Sequence, residues 1–339
     1  MEAKSTAVSQ GAKQVEEIPT KWTWVEPTIW TDRMLEALQR GVKGGKWFSL
    51  IDKVWREATL IKAWETVKAN DGAPGIDKVT VADYERHIES NLKRLSQKLK
   101  EGTYVPQAVR RTWIDKPGRA EKRPLGIPTV EDRVAQTALK LVLEPIFERE
   151  FFRESYGFRP QRGAKDALRR VDGLLGKEHR WVVDADLKSY FDTIDHGLLM
   201  EKVEKQVSDG RILELIKAFL TADVVDEGES TSPQRGTPQG GVISPLLANI
   251  FLNPLDHLMA ERGFEMVRYA DDFVILCRSE EEAKAALETV RSWVDAHGLK
   301  LHPEKTEIVD EANGSFNFLG YRFKQGNKYL SKKAKRGFL

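Results

Sequence analysis

The chain has 339 residues, of which 40% are hydrophobic and 31% are charged, with a formal net charge of +2. A chain of this length can form two packed units, each with its own hydrophobic core. The sequence contains no apolar run near the ~20 residues of a membrane span and no signal-peptide pattern, so we expect no membrane partner. The single cysteine, Cys277, excludes an internal disulfide, which fits a reducing cytoplasm, and we expect it to be buried.

Positive charge is concentrated between Asn91 and Arg123, where ten Lys and Arg residues stand against three acids, a local net charge of +7. The rest of the chain therefore sums to −5, because the total is +2. Such a basic stretch indicates contact with a polyanion, the alternative being a solvated surface of mixed charge.

The N-terminal part is predicted to be a disordered tail over residues 1–30, because its beginning is polar and lacks periodicity. Six of the nine tryptophans lie between Trp22 and Trp64. We expect them to anchor short helices onto the body of the protein, with stacking on nucleobases as the alternative. Turn residues at 71–77 precede a helix predicted over residues 81–100.

The next segment, residues 104–128, alternates β-prone runs with Pro and Gly and predicts a hairpin with a basic tip. Helices are predicted over 130–148, with Pro145 bending or ending the first, and over about 164–175. A loop, Tyr156-Gly157-Phe158-Arg159-Pro160, lies between them.

The second half begins with a strand at 181–187, followed by helices over 198–207 and 212–220. A Gly/Pro loop at 235–241 opens a helix over 244–259, and a hairpin over 267–276 follows. Ser279 and Glu282 predict a capping box for the next helix, and strands at 299–301, 306–309 and 316–323 end the pattern. This order is typical of an α+β fold with a ferredoxin-like, split βαβ antiparallel sheet and helices on one face.

Two adjacent acids, Asp271 and Asp272, lie at the predicted tip of the hairpin. Asp is common in turns, so a plain surface turn is one interpretation. Asp186, which ends a strand 85 residues earlier, supplies a third carboxylate that this sheet could bring to the same place. Oxygen ligands without a His/Cys cluster favour Mg²⁺ over Zn²⁺, and two such ions roughly 3.5–4 Å apart serve in-line phosphoryl transfer.

Five motifs in order resemble those of bacterial group II intron-encoded reverse transcriptases, the intron maturases, between about Leu50 and Phe323. They are Gly72-Ala73-Pro74-Gly75-Ile76-Asp77, Arg123-Pro124-Leu125-Gly126-Ile127-Pro128-Thr129, Asp186-Leu187-Lys188-Ser189-Tyr190-Phe191-Asp192, Arg235-Gly236-Thr237-Pro238-Gln239-Gly240-Gly241, and Tyr269-Ala270-Asp271-Asp272. The tetrapeptide alone is weak evidence, whereas the ordered set is specific.

The resemblance implies the fingers and palm of a right-hand polymerase and a role for each matching residue. Asp186 and Asp271, with Asp272 adjacent and the backbone at Leu187, would hold two Mg²⁺ ions, Mn²⁺ being an alternative. Asp184 is not the matching acid and is expected to be solvated. Other implied roles are proton donation to pyrophosphate by Lys305, dNTP binding by Lys116, Arg123, Phe191 and Gln239, primer and template contacts by Tyr269, Gly240 and Gly241, and RNA contacts by Lys93, Lys100, Arg110 and Arg111.

The resemblance also implies domains: N-terminal helices and fingers over 31–180, a palm over 181–323, and a basic tail over 324–339 where the family continues into a thumb. We therefore expect a chain truncated before the thumb. Its implied partners are intron RNA, an RNA template, a DNA primer and dNTP, in the bacterial cytosol and near the nucleoid during retrohoming, with a homodimer left open. The alternatives are an RNA-binding splicing cofactor without polymerase activity and a reverse transcriptase recruited to phage defence.

Overall fold

The structure is a computed structural model that describes residues 22–42, 44–115 and 122–331. Its helices are α1 Asp32–Arg40, α2 Ile51–Val54, α3 Glu57–Asn70, α4 Val81–Glu85, α5 Ile88–Glu101, α6 Val130–Glu148, α7 Ala164–Leu175, α8 Tyr190–Thr193, α9 His196–Glu204, α10 Gly210–Thr221, α11 Ser244–Glu261 and α12 Glu280–Ala296. Across these ranges, none of the helices combines the length and the apolar character that crossing a bilayer requires.

The strands form three sheets. They are β1 Val109–Asp115, β2 Lys122–Ile127, β3 Trp181–Asp186, β4 Val224–Asp226, β5 Glu229–Thr231, β6 Glu265–Tyr269, β7 Asp272–Cys277, β8 Glu307–Asp310, β9 Phe316–Phe318, β10 Tyr321–Lys324 and β11 Asn327–Leu330. The sheet orders are β2-β1-β4-β5, β6-β7-β3-β8 and β11-β10-β9. Strands β4 and β5 were not predicted, because three-residue strands carry little periodicity.

The N-terminal helices pack around α6, which is buried along most of its length. Trp30 is buried against this helix, where its indole Nε1 donates a 3.1 Å hydrogen bond to the carbonyl oxygen of Leu141. The prediction of a disordered tail is therefore wrong for residues 22–30, because their apolar side chains belong to the core; residues 1–21 lie outside the described ranges. The helix predicted over 81–100 is two helices: the short α4, which a capping box of Thr80 and Asp83 begins, and α5, which begins at Ile88.

The β6-β7-β3-β8 sheet has the strand order of a ferredoxin-like fold, and every pairing in it is antiparallel. The predicted fold class is confirmed by this order and by the structural comparison given below. Alternating side chains divide the sheet between two cores: Val183 and Phe273 join the main core with α11 and α12, whereas Val182 and Val274 join a second core. Helix α7 packs in that second core, so helices lie on both faces rather than on one.

The last described residues form a small sheet instead of a tail. Strand β11 pairs antiparallel with β10, with Arg322 opposite Tyr329 and Phe323 opposite Lys328. The predicted basic tail over 324–339 is therefore wrong for residues 324–330, because the chain turns at Gly326 and continues the pairing. Residues 332–339 lie outside the described ranges.

Candidate active site

The three predicted carboxylates lie at one end of the β6-β7-β3-β8 sheet. Asp186 ends β3 and is the register partner of Asp272, the first residue of β7. Tyr269 pairs with Asp272, so Ala270 and Asp271 form a two-residue hairpin loop, in which Ala270 has a left-handed φ of 59°. We call residues 269–272 the catalytic turn, after the role proposed for them below. Because residues two apart share a face, Asp184 and Asp186 point to the same side of β3.

The pKa values of three of these acids, Asp184, Asp271 and Asp272, are raised. Burial, followed by the negative charges of the neighbouring aspartates, raises the pKa of Asp272 to about 7. Burial also raises the pKa of Asp271, against the opposing charges of Arg123 and Arg268. Asp184 was expected to be solvated but is half-buried, and burial, followed by the charge of Glu307, raises its pKa to about 7. The site accumulates negative charge that its own residues only partly neutralise.

A lysine side chain reaches the acids. The Lys305 ammonium group forms an ion pair with Oδ2 of Asp186. Among the residues that the structure describes, no three His, Cys, Asp or Glu side chains are grouped closely enough to enclose a metal ion. The donor set nevertheless fits a hard divalent cation, because it consists of carboxylates whose mutual repulsion such a cation would relieve. Leu187 is buried and its backbone bridges to Leu301.

A buried ion pair fixes the backbone of the catalytic turn. The Arg268 and Asp256 side chains are each 1% exposed, and Arg268 Nε donates to Asp256 Oδ1 at 2.7 Å. Arg268 Nη1 donates to the carbonyl oxygen of Ala270 at 2.8 Å and to Asn249 Oδ1 at 2.9 Å. Asn249 and Asp256 lie seven residues apart on one face of α11, so this helix supports the turn through Arg268.

The loop 156–160 supports the same turn from the side. The backbone N–H of Tyr156 donates to the carbonyl oxygen of Arg268 at 2.9 Å, and Asn249 Nδ2 donates to the carbonyl oxygen of Gly157 at 2.8 Å. A Cβ at Gly157 would overlap the backbone nitrogen of Ala270. Only glycine therefore fits at this position without moving the turn.

The Gly/Pro loop at 235–241 meets the β2-β1-β4-β5 sheet, which we call the fingers sheet. Gln239 Nε2 donates to both carboxylate oxygens of Asp192, at 3.2 and 3.1 Å, and the Gln239 carbonyl oxygen accepts from Gly126 N–H at 2.5 Å. Gly240 has a φ of +107°, and a Cβ there would overlap the carbonyl oxygen of Gly126. At Gly241 a Cβ would come within 2.6 Å of Ser244 Oγ.

A cleft of about 250 Å³ lies between this loop and the fingers, lined by Arg111, Gly126, Asp192, Arg235 and Gln239 among others. Phe191 lies at the base of the loop, where its carbonyl oxygen accepts from Thr237 N–H at 2.7 Å. The structure thus joins Phe191, five residues after Asp186, to Thr237, two residues before Gln239.

The predicted phosphate and RNA contacts are spread over the fingers. Arg123 lies on β2 opposite Ile114, and its charge acts on Asp271. Lys116 lies outside the described residues. Lys93 is exposed on α5, and the Lys100 ammonium lies 5.3 Å from the centre of the Trp55 ring. Arg111 lies 6.0 Å from the Trp113 ring.

Arg110 differs from its prediction as a surface RNA contact. Its Nε and Nη2 donate to the carbonyl oxygen of Pro74, at 3.1 and 2.7 Å, so the guanidinium ties the 72–77 loop to β1. A guanidinium committed to the backbone in this way has fewer donors left for phosphate oxygens. The prediction of an RNA contact at Arg110 is therefore not supported by its geometry.

Sequence reasoning missed several residues of the site. Arg268, Asp256 and Asn249 were read only as parts of a strand and a helix, and Gly157 only as part of a loop. A signal was present for the three polar residues: a charged residue inside an apolar strand, and polar residues seven apart on a buried helix face, need partners in the core. The partners themselves are set by the tertiary fold and are not readable from the pattern.

Comparison with known families agrees with this geometry. Residues 114–323 match the family described as reverse transcriptase (RNA-dependent DNA polymerase). The chain belongs to the reverse transcriptase family. The predicted enzyme class and the predicted kinship with group II intron-encoded proteins are confirmed at this level, because proteins of that kind are among the relatives.

Among the relatives of this reverse transcriptase, protein YkfC of Escherichia coli K12 is 35% identical over 304 residues, which cover 78% of this chain and 79% of that protein. The group II intron-encoded protein LtrA of Lactococcus lactis is 40% identical over 201 residues, covering 59% of this chain and only 33% of LtrA. A telomerase structure from Candida albicans shares the fold, with a TM-score of 0.51 at 14% identity, over 75% of this chain and 50% of that one.

Proposed function

We propose that the chain catalyses RNA-templated extension of a DNA primer, using Asp186 and Asp271 with Asp272 alongside. The observation that carries the proposal is the register pairing of Asp186 with Asp272 next to a two-residue turn that holds Asp271. Mg²⁺, or Mn²⁺ in its place, would be held by these carboxylates. Divalent ions bound there would lower the pKa of the primer 3′-hydroxyl and neutralise negative charge on the triphosphate.

The remaining residues position the substrates. Arg123 and Lys116 of the fingers would bind the triphosphate of the incoming dNTP through charge-assisted hydrogen bonds. Gln239, held by Asp192, fixes the loop against which the nascent base pair lies, and Gly240 lets backbone approach closely. Phe191 would exclude a ribose 2′-hydroxyl, and Lys305 would protonate the leaving pyrophosphate. Catalysis then rests mainly on positioning and charge neutralisation.

Primer extension tests this proposal. With poly(rA)/oligo(dT), dTTP and Mg²⁺, Asp271→Asn should lower the extension rate by roughly 10²–10⁴-fold, since metal-bound charge stabilisation is worth several kcal/mol. Glu288→Gln is the matched control, because it also removes one carboxylate, from an exposed pair with Arg291 on α12. Unchanged extension by Asp271→Asn would show that the metal site is assigned wrongly.

A second function, binding of intron RNA during splicing and retrohoming, is favoured by two observations. One relative is a group II intron-encoded protein, and Lys93 and Lys100 lie seven residues apart on one exposed face of α5. On that helix Arg94 and Lys98 are paired with Glu131, which leaves this face to the other two lysines. Replacing both Lys93 and Lys100 by Gln should weaken RNA binding and flatten its salt dependence, whereas Asp271→Asn should leave binding unchanged.

A further inference from the structure

Phe158 combines exposure with an unfavourable backbone. Its side chain is 51% exposed, and its φ of 56° lies in the left-handed region that side chains other than Gly, Asn and Asp rarely adopt. Neither feature helps the fold, because an exposed ring buries little apolar area and a left-handed φ strains a residue that carries a Cβ. A strained residue at a functional site is reason to look for a function of its side chain.

The residues around Phe158 are fixed by hydrogen bonds and burial. On one side, Gly157 is pressed against the catalytic turn and its carbonyl oxygen accepts from Asn249. On the other side, the buried Arg159 donates to both oxygens of Glu148, at 2.8 and 2.6 Å, and to the carbonyl oxygens of Phe152 and Ser155. The loop therefore holds the Phe158 backbone in place while its ring faces outward.

The ring of Phe158 lies against the catalytic turn. Its centroid is 6.3 Å from that of Tyr269, at an interplanar angle of 44°, and Tyr269 is the register partner of Asp272. Tyr269 ends β6, the edge strand of the sheet, two strands from Asp186 on β3. At about 4.8 Å between strands, the aromatic pair is offset by about 10 Å from Asp186 along the sheet.

We propose that Phe158 forms, together with Tyr269, an apolar contact for nucleotides at the 3′ end of the primer strand. The inference rests on the proposed function, because the reacting 3′-hydroxyl must then lie at Asp186 and Asp271. An aromatic pair about 10 Å away meets the primer nucleotides just behind it, at a rise of about 3.4 Å per nucleotide. Aromatic faces pack against nucleotides of any sequence, as a polymerase that moves along its template requires.

Phe158→Gly separates this role from a structural one. Glycine accepts a φ of 56° without strain, so this variant should melt at the same temperature as the wild type or higher. Its affinity for a fluorescent DNA primer annealed to an RNA template should fall roughly 5- to 50-fold in anisotropy titrations, the size of loss seen when a stacking side chain is removed. Phe158→Trp should bind like the wild type.

Three comparisons make the test specific. Phe48→Ala, which removes a phenylalanine that is 72% exposed elsewhere, should leave primer binding unchanged. The single-stranded RNA template alone should bind Phe158→Gly within twofold of wild type, and the KM for dNTP should also stay within twofold. The inference is overturned if Phe158→Gly and the wild type bind the primer duplex equally well. It is also overturned if Phe158→Gly loses as much affinity for the template alone, or if its KM for dNTP rises by the same factor.

The binding titration does not require catalysis, so the two proposals can fail separately. A wild-type chain that binds the duplex through Phe158 but shows no extension refutes the proposed function alone. A wild-type chain that extends primers while Phe158→Gly binds them normally refutes only the role of Phe158.

Discussion

Replacing Asp256 by Asn tests whether the buried ion pair supports the catalytic turn. The substitution leaves the Arg268 guanidinium in a site where both side chains are 1% exposed, without a compensating charge. Removing one partner of a buried pair costs about 3–5 kcal/mol. Because an asparagine oxygen can still accept one of the two hydrogen bonds from Arg268, we expect a loss of about 3 kcal/mol in the free energy of unfolding.

Urea unfolding measures this loss, provided that the m-value is the same in both proteins. The matched control is Glu288→Gln, which breaks a pair with Arg291 at 3.5 Å whose side chains are more than half exposed. Such a pair contributes about 0.5 kcal/mol or less. If Asp256→Asn and Glu288→Gln destabilise the protein equally, the pair does not carry the energy assigned to it.

A double variant separates stability from positioning. In Asp256→Leu/Arg268→Met both charges are gone, and apolar replacement of a buried pair is often neutral or stabilising. Stability should therefore recover to near the wild-type value. Primer extension should not recover, because the Ala270 carbonyl oxygen has lost the Arg268 donor that fixes the turn. Recovery of both would show that Arg268 is needed only for folding.

Two further predictions concern the turn itself. Folding raises the pKa of Asp272 from about 4 to about 7, so without metal the free energy of unfolding should fall as the pH rises through this window. In EDTA, Asp272→Asn should therefore stabilise the protein by about 1–3 kcal/mol at pH 8 and should have no effect at pH 4. Melting curves at the two pH values measure this difference. Gly157→Ala should abolish extension by displacing the turn, whereas Gly173→Ala, in open space on α7, should add about 0.5–1 kcal/mol of stability and keep full activity. An active Gly157→Ala or a pH-independent effect at Asp272 would contradict these expectations.

Much of the fold could be predicted because its information is local. Period-two alternation, capping residues and helical stripes marked its elements, and α6 and α7 have the predicted bounds. Cys277 is buried as predicted. The ferredoxin-like strand order followed from the order of elements along the chain, which restricts the topologies that a split βαβ unit can take.

What could not be predicted depends on tertiary contacts. Strand β4 joins the fingers by parallel pairing with β1, more than a hundred residues earlier, and no local pattern announces such a partner. The solvated role expected for Asp184 and the RNA contact expected for Arg110 both assumed that a charged side chain at the end or edge of a strand faces water. Asp184 instead lies opposite Glu307 on β8, whose negative charge raises its pKa, and Arg110 donates to the Pro74 carbonyl oxygen; only the fold supplies these neighbours.

The catalytic turn therefore owes its geometry to residues outside its own motif. Arg268 fixes the Ala270 carbonyl oxygen from below, and Gly157 limits the turn from the side. Both supports pass through Asn249, which accepts from Arg268 and donates to the Gly157 carbonyl oxygen. Because this one amide bonds to both Arg268 and Gly157, it ties the backbone beside Phe158 to the turn that carries Asp271.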